Sequence, residues 1–397
     1  MMQPGQTTPH KTGYLPSFDG WRALAILGVF MTHDLPWVIA GHTNAAFKMY
    51  GGSGVTLFFA ISGILITTRI LEEERMVGRF DLRRFYIRRI FRIQPVALVY
   101  LTVTAALIGF QIIHDHWYYW AAALFLFENF AWHPAATTVA FFHGHFWTLA
   151  VEEHFYILLS LLLFFLRRYR LAILTAAWLV LWIVEKFATT HGLFDFHENL
   201  GRTYWQLGYL VFPAMVAVAL QRPGVRRWAV RDWKPWTAFA LSIVVAVLHR
   251  ESIHLRHPEL NAFSATEWLT ETRIADQFFF ALWVAATMLH PKAWTTRLLE
   301  WAPLRFIGRL SYSLYLWHVL FFFQLDPGTN ITNPLLMALS GRFAKYAAAL
   351  AISLVSYYCL EKPMMRLGHR LAPPATPGRP ELIEDSDDLR EVSERPA

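Results

Sequence analysis

Eleven apolar segments set the limits on how this chain folds, because the longer ones have about the 20 residues that a helix needs to cross a bilayer. They are residues 21–41, 51–70, 94–113, 117–131, 146–166, 171–190, 204–220, 235–249, 274–290, 306–325 and 338–360. Charged residues make up only 16% of the sequence, against roughly 25% in soluble proteins. The sequence therefore predicts an all-α fold, a polytopic bundle of transmembrane helices.

The positions of the basic residues predict how these segments pass through the membrane. Basic clusters follow residues 70, 166, 220, 290 and 360, and Lys and Arg are enriched in cytoplasmic loops. All these clusters lie on the cytoplasmic side only if one segment does not cross. We assign that role to 117–131, a short aromatic stretch with Glu128 and Asn129, as an interfacial or re-entrant helix. The prediction is about ten spans, with both termini in the cytoplasm.

Composition assigns three further features. Residues 372–397 are rich in Pro, Gly and acidic side chains, so we expect a disordered acidic cytoplasmic tail after a membrane domain of residues 1–371. Residues 250–273 are expected to form the largest external loop, whose His and Glu residues show no metal-ligand spacing. The single cysteine, Cys359, excludes an intrachain disulfide and a cysteine-based metal cluster. We therefore predict no metal site.

Arg22 and His33 are separated by ten residues within one apolar stretch, 21–40. A chargeable group near the middle of a bilayer costs on the order of 2.5–3.5 kcal/mol on insertion scales, so such groups usually face a partner or a wet cavity. An imidazole suits proton transfer near neutral pH. His33 is therefore the first candidate for catalytic chemistry. The alternative is a structural histidine bonded to a neighbouring carbonyl oxygen.

Eight arginines and no lysine lie between residues 69 and 92, interleaved with apolar side chains at helical intervals. They are Arg69, Arg75, Arg79, Arg83, Arg84, Arg88, Arg89 and Arg92. The pattern predicts an amphipathic helix at the inner membrane surface. Guanidinium groups bind phosphates in a bidentate manner, so the ligand is either acidic lipid or a soluble phosphorylated molecule. Because the cluster is fixed at a membrane face, we expect no nucleic-acid partner.

Two carboxylates are further candidates. Glu152 and Glu153 lie near the outer end of the span 146–166, where a carboxylate has to be paired or solvated. Either of them could orient His33 or act as an acid or base.

Glycines and a serine in the segment GGSGVTLFFAISGILIT are interpreted as packing residues. A phosphate-binding loop is disfavoured because the helix that follows is apolar, so we expect helix-packing positions at Gly51, Gly52, Gly54 and Gly63. Ser62 is expected to make a hydrogen bond across helices rather than to act as a nucleophile.

Six sequence elements occur in an order that resembles one protein family. They are FDGWRALAI with MTHD, GGSGVTLFFAISGILIT, FYIRRIFRIQP, FWTLAVEEHFYILL, FIGRLSYSLYLWHVLFF and LEKPMMRLGHRL. Together they resemble the bacterial membrane-bound acyltransferase 3 family, the O-antigen acetylase type, over about residues 18–371. The family's motif of Arg, ten residues and His falls on Arg22 and His33. Its Arg-x-x-Arg motif falls on Arg89 and Arg92.

Two more family elements have counterparts here, the Glu of Trp-Ser-Leu-x-x-Glu at Glu152 and the string SYSLYLWH at residues 311–318. The resemblance implies transfer of an acyl group, usually acetyl, from cytoplasmic acyl-coenzyme A to a hydroxyl. The acceptor would be a sugar, a glycolipid or a small molecule. Acyl-coenzyme A would be a cosubstrate, with no permanently bound cofactor.

The residues and the resemblance lead to one mechanistic hypothesis. The coenzyme A phosphates bind the cytoplasmic arginines Arg84, Arg88, Arg89 and Arg92. His33 acts as general base with direct attack on the thioester, while Arg22 stabilises the donor or the oxyanion and Glu152 orients the base or the acceptor. A covalent acyl-His or acyl-Ser intermediate stays open. Supporting or substrate-binding roles are assigned to Asp19, Glu153, Tyr312 and His318.

The expected setting is the bacterial inner membrane, where the lipid bilayer is itself a partner. Many relatives carry an esterase-like domain after the membrane part, and here a short acidic tail takes that place. A separate partner protein or a homo-oligomer is therefore compatible with the sequence. A transporter or flippase is the alternative function, because intramembrane His, Arg and Glu residues also mark proton relays and substrate pathways.

Overall fold

The computed structural model describes residues 15–33, 38–39, 42–43, 45–131, 141–191, 202–231, 266–322, 333–341 and 343–373. Regular structure in these ranges is helical apart from one pair of very short antiparallel strands, which confirms the all-α prediction. The predicted segment 235–249 and the predicted tail from residue 374 onward lie outside the described residues.

Sixteen α-helices and two strands are found in the described ranges. They are α1 (Pro16–His33), β1 (Val38–Ile39), β2 (His42–Thr43), α2 (Ala45–Val77), α3 (Leu82–Gly109), α4 (Trp117–Leu124), α5 (Phe141–Gly144), α6 (Phe146–Phe165), α7 (Arg170–Thr190), α8 (Thr203–Gln206), α9 (Gly208–Ala219), α10 (Pro223–Ala229), α11 (Thr266–Leu289), α12 (Trp294–Leu299), α13 (Ala302–Trp317), α14 (Pro334–Leu339), α15 (Ala344–Ser356) and α16 (Lys362–Leu371). Short 3₁₀ turns cover Glu128–Phe130, Arg167–Tyr169 and His318–Leu320, and a π-helical turn covers Tyr357–Glu361.

Four helical stretches in the described ranges are long and apolar enough to cross a membrane. They are Ser53–Val77, Leu82–Gly109, Phe142–Phe165 and Arg167–Ala188. Shorter apolar helices cover Gly208–Ala219 and Asp276–Leu289. The predicted number of about ten spans is not confirmed, because the chain forms helices of only 12 and 16 residues in two of the other apolar segments.

Segment 117–131 is too short to cross. Its helix α4 has 8 residues and therefore rises about 12 Å, less than half of the roughly 30 Å hydrocarbon core. After α4 the chain reverses at Leu126, whose φ of 57° lies in the left-handed region, and enters the 3₁₀ turn Glu128–Phe130. This geometry agrees with the predicted interfacial or re-entrant helix.

The arginine-rich segment differs from the prediction of a separate helix at the inner surface. Instead α3 runs without interruption from Leu82 to Gly109 and includes Pro95. Asp81 caps its start by accepting a hydrogen bond of 3.1 Å from the Arg84 backbone N–H. Arginines can enter the bundle in this way when acidic side chains of other helices pair with them, and those partners are invisible in the local sequence.

The prediction of an external loop over residues 250–273 is wrong for the part that the structure describes. Helix α11 begins at Thr266, so residues 266–273 are helical, and residues 250–265 lie outside the described ranges. The reason is that an apolar pattern marks the buried or lipid-facing part of a helix and does not mark its polar first turns.

The helix α1, which carries Arg22 and His33, packs against α2 and α13 at glycines. A Cβ at Gly54 would lie 2.8 Å from the Val29 backbone nitrogen, and a Cβ at Gly308 would overlap the Asp19 carbonyl group. Gly63 is equally close to α9, since its Cβ would meet the Pro213 Cβ at 3.0 Å. The predicted packing role is confirmed for Gly54 and Gly63, and α1 is held rigidly at the centre of the bundle.

Candidate active site

A cavity of about 110 Å³ lies between α1, α2, α3, α6 and α13. Its polar lining consists of Arg22, Ser62, Arg89, Arg92, Thr148, Glu152, Ser311, Tyr312 and Tyr315. One water molecule needs roughly 10–15 Å³ on the same measure. The cavity therefore has room for a group several times the size of a water molecule, such as a thioester with a short acyl chain.

Arg89 forms the charged centre of this cavity. Its Nη2 lies 3.5 Å from Glu152 Oε2, and its Nε lies 3.8 Å from Glu153 Oε1. The guanidinium carbon sits 3.5 Å from the centroid of the Tyr156 ring, a cation–π arrangement. The two acids of α6 and the arginine of α3 thus compensate one another inside the bundle.

Glu152 is held by hydroxyl groups as well as by Arg89. Ser62 donates a 2.7 Å hydrogen bond to its Oε1, and Tyr156 donates a 2.8 Å bond to its Oε2. Ser62 therefore makes the cross-helix hydrogen bond that the sequence predicts. The described contacts join Glu152 to Arg89 and not to His33, so the hypothesis that Glu152 orients His33 is not the arrangement in the structure.

Two further arginines face the cavity. Arg22 lies 3.4 Å from the Asp19 carboxylate through its Nη1. Arg92 makes no ion pair or side-chain hydrogen bond with any residue that the structure describes. Glu361 acts on Arg92 electrostatically without forming a direct ion pair, and a guanidinium group in this position at a cavity wall is suited to an incoming anion such as a phosphate group.

The other two arginines assigned to coenzyme A lie outside the cavity lining. Arg88 contacts Glu73 Oε2 at 2.8 Å through Nη2 and donates from Nη1 to the Ala372 carbonyl at 3.4 Å. Arg84 is exposed and lies 3.3 Å from Asp81 Oδ2. Arg88 therefore connects α3 with α2 and with the end of α16, whereas Arg84 pairs with the residue that caps α3 itself. Of the four predicted arginines, the structure places only Arg89 and Arg92 at the cavity.

The last helix, α16, packs against the arginine-bearing end of α3. A Cβ at Gly368 would lie 2.7 Å from Phe91 Cβ, so the two helices touch there. Burial lowers the pKa of His369, and the nearby charges of Arg88 and Arg92 lower it further. His369 is therefore neutral at pH 7 and adds no positive charge to the arginine-rich region.

His33, the last residue of α1, is half-buried, and its Nδ1 lies 2.9 Å from the Val29 carbonyl oxygen. A carbonyl oxygen only accepts hydrogen bonds, so Nδ1 carries the proton and Nε2 is the basic nitrogen of the neutral ring. The carbonyl contact that a structural histidine would make is present. The same contact fixes the tautomer that a general base requires. His33 is not part of the cavity lining itself.

His33 belongs to a row of three imidazole rings. The ring centroids of His33 and His318 are 5.0 Å apart, and those of His318 and His145 are 6.1 Å apart. Tyr315 contacts the second and third rings, and its hydroxyl lies 2.6 Å from Thr148 Oγ1. We call these three rings the histidine row. The row adjoins the cavity, because Tyr315 and Thr148 also line the cavity.

The predicted supporting residues all lie in this region. Asp19 pairs with Arg22, Glu153 lies beside Arg89, and His318 lies beside His33. The fourth, Tyr312, lines the cavity and donates a 2.7 Å hydrogen bond to the Ile93 carbonyl.

Sequence reasoning missed His145, Thr148 and Tyr315. A signal for them was present, because Tyr315 lies within SYSLYLWH and Thr148 within FWTLAVEEHFYILL, which His145 directly precedes. Nothing in the local pattern distinguished these residues from other polar side chains of an apolar helix.

A bundle of apolar helices that encloses arginine, glutamate and histidine side chains has the character of an intramembrane catalytic or transport site. The family profile described as "Acyltransferase domain" matches residues 15–358, and the chain belongs to this family. The resemblance drawn from the sequence motifs is confirmed.

Named relatives come from Staphylococcus aureus. A provisionally named O-acetyltransferase of strain COL is 28% identical over 349 residues, covering 79% of this chain and 52% of the relative. The O-acetyltransferase OatA of strain NCTC 8325 is 28% identical over 331 residues, covering 77% of this chain and 50% of the relative. The chain thus spans about half the length of the curated relatives it matches. No solved structure matches it.

Proposed function

We propose that the protein is an integral membrane O-acyltransferase that moves an acyl group, acetyl in the first instance, from acyl-coenzyme A to an acceptor hydroxyl. Membership of the acyltransferase family and the O-acetyltransferase relatives support this class of reaction. The observation that carries the proposal is the Arg92 guanidinium, which faces the cavity and makes no direct ion pair in the described ranges, although Glu361 acts on it electrostatically. It provides the charge that an anionic donor needs.

Donor binding follows from the positions of the cavity arginines. Arg92, which makes no direct ion pair, and Arg22, which is paired with Asp19, bind anionic groups of the donor, whereas Arg89 lies between two carboxylates, Glu152 and Glu153. His33 lies eleven positions after Arg22 on α1, which corresponds to about 16 Å along the helix axis. A donor whose anionic part lies near Arg22 therefore has to extend its thioester along the cavity toward the histidine row.

The chemical step uses His33 as a general base. Its Nε2 takes the proton of the acceptor hydroxyl while the hydroxyl oxygen attacks the thioester carbonyl carbon. Arg92 and Arg22 hold the anionic groups of the donor during this step, because Arg22 lies about 16 Å along α1 from the base. The carbon–sulfur bond then breaks, and the thiolate takes the proton back from the His33 imidazolium. The products are the ester and free coenzyme A, and His33 returns to its neutral form.

Binding of the donor tests this proposal most directly. Purified full-length protein should bind radiolabelled acetyl-coenzyme A saturably, and Arg92→Ala should weaken that binding at least tenfold, the loss of about one charged hydrogen bond. Arg84→Ala is the matched control, because Arg84 is exposed and lies outside the cavity. Absence of binding, together with solute movement across proteoliposomes, would support the transporter alternative instead.

We further propose a location in the bacterial inner membrane with both termini in the cytoplasm. The four long apolar helices support a membrane setting. In a Cys359→Ser background, cysteines at positions 140 and 260 should react with an impermeant thiol reagent from outside the cell, and one at position 168 should not. Labelling at 168 with protection at 140 would reverse the proposed orientation of α6.

A further inference from the structure

The histidine row contains polar atoms without partners. His145 is 6% exposed and His318 is fully buried. Neither ring nitrogen of His145 has a hydrogen-bond partner in the described ranges, and His318 Nε2 has none either. The Leu316 carbonyl lies near His145, but not in ordinary hydrogen-bond geometry. Buried polar groups are almost always paired, so these nitrogens are candidates to hydrogen-bond a ligand.

The hydrogen-bond chemistry of His318 is fixed by its other nitrogen. Its Nδ1 lies 2.7 Å from the Tyr315 carbonyl oxygen, so Nδ1 donates its proton and Nε2 has only a lone pair to offer. Nε2 therefore needs a donor, and a hydroxyl group is the donor that an alcohol substrate carries. His33 shows the same pattern, with Nδ1 on the Val29 carbonyl. Two acceptor nitrogens of the same kind thus belong to adjacent rings.

The surroundings hold the two inner rings rigidly. His145 packs against Tyr100 and Phe146, with ring centroids 5.3 Å and 4.9 Å away. His318 packs against Phe30 at 5.4 Å. Rings fixed by packing can bind a ligand without losing side-chain freedom at that moment. A shared metal ion does not account for the row, since no group of His, Cys, Asp and Glu in the described residues has metal-binding geometry.

We propose that His318 and His145 bind the acyl acceptor, with His318 Nε2 accepting a hydrogen bond from a hydroxyl adjacent to the one that His33 deprotonates. His145 binds a further polar group of the same molecule. The acceptor is therefore a diol or polyol rather than an isolated alcohol. This inference rests on the proposed function, in which His33 is the general base.

The test compares acceptor saturation with donor binding in the full-length protein. The acceptor source is a cell-envelope extract of the host organism, treated with mild alkali to remove existing ester-linked acyl groups. Transfer of label from radiolabelled acetyl-coenzyme A is measured as the extract is titrated, and equilibrium binding of acetyl-coenzyme A is measured in parallel. The variants His318→Phe and His145→Phe keep an aromatic ring in each place but remove both nitrogens.

Each Phe variant should raise the extract concentration for half-maximal transfer about tenfold, the effect of roughly one hydrogen bond, and leave acetyl-coenzyme A binding unchanged. His318→Gln should stay within about threefold of the wild type, because its amide oxygen still accepts a hydrogen bond. Tyr100→Phe is the structural control. It removes a buried hydroxyl that donates to the Phe142 carbonyl, and half-saturation should not change.

Two results would overturn this inference without overturning the proposed function. One is unchanged half-saturation in both Phe variants, and the other is a loss of acetyl-coenzyme A binding that parallels the loss of transfer, which would indicate a packing role. A wild-type protein that neither binds acetyl-coenzyme A nor transfers label would instead overturn the proposed function. The donor measurement therefore separates the two failures.

Discussion

The two ends of the candidate active site differ in how their buried polar groups are compensated. At the charged end, Arg89 is matched by Glu152 and Glu153, and hydroxyl groups complete the Glu152 carboxylate. In the histidine row, three nitrogens of His145 and His318 have no partner among the described residues. Charge is therefore balanced at the charged end without a ligand, although Arg89 Nε and Glu153 Oε1 lack hydrogen bonds there, whereas the nitrogens of the histidine row have no such compensation.

The difference follows from the cost of burying each kind of group. An unpaired ion in a low-dielectric interior costs several kcal/mol, so charges that have to be present before the substrate arrives are paired within the protein. A neutral imidazole costs less to leave unpaired, roughly 1–3 kcal/mol. Neutral polar groups can therefore stay unpaired until a substrate binds. Arg92 is the exception at the charged end, and this is why donor binding is assigned to it.

The largest expected effect is the loss of acyl transfer on changing the base. His33→Ala should abolish transfer, because general base catalysis contributes about 10²- to 10⁴-fold. Expression and membrane insertion should stay intact, since the change removes a costly polar group from an apolar helix. Transfer is measured with radiolabelled acetyl-coenzyme A, and insertion by resistance to alkaline extraction. Near-normal turnover would contradict the mechanism.

Comparing Arg89→Ala with Arg92→Ala tests how an ion-paired arginine differs from one without a direct ion pair. Arg89→Ala leaves two carboxylates of α6 without their cation, so stability should fall by about 3–5 kcal/mol. Arg92 makes no direct ion pair in the described residues and interacts with Glu361 only electrostatically, so Arg92→Ala should change stability less than Arg89→Ala does while weakening donor binding. Thermal unfolding in detergent and acetyl-coenzyme A binding are measured together. Equal destabilisation by both changes would remove the distinction.

Replacing Arg89 and Arg92 together tests the chemistry of binding. Arg89 and Arg92 changed together to Ala should weaken acyl-coenzyme A binding far more than acceptor binding. Lys at both positions should restore it only in part, because an ammonium group lacks the planar fork of a guanidinium. Affinity for donor and acceptor is measured separately in each variant. An equal loss for both would point to folding or lipid contact.

A smaller effect is expected at Ser62. Ser62→Ala removes one hydrogen bond to the Glu152 carboxylate, which is worth about 1.5–3 kcal/mol for a charged acceptor. Transfer should persist, because direct attack does not use the Ser62 hydroxyl. Unfolding temperature and transfer rate are the two readouts. Complete loss of transfer in a folded variant would revive the acyl-serine intermediate.

The smallest effect is expected from the acidic tail. Truncation after Ala372 keeps the carbonyl to which Arg88 donates and removes a segment too polar to form a core. Transfer should be largely unchanged in a membrane assay. An inactive but correctly inserted truncation would show that the tail has a docking role.

Several features of the protein follow from the sequence alone. Helical periodicity and apolar length predict an α-helical bundle, and the motifs identify the family. The positions of Arg22 and His33 on α1 are equally local, because an eleven-position separation fixes the distance along a helix. The sequence also predicted that Ser62 makes a hydrogen bond across helices, but it did not predict the partner.

Only the tertiary structure decided which of these residues meet. Arg89 meets Glu152 across 63 positions, and Arg88 meets Ala372 across 284. His145 entered the site only because α6 and α13 bring it to His318. The sequence of a helix determines which side chains share one of its faces. The contacts of buried charges and rings with other helices depend on tertiary packing. The sequence therefore determined the class of protein and the candidate base, and the packing of five helices determined the candidate site.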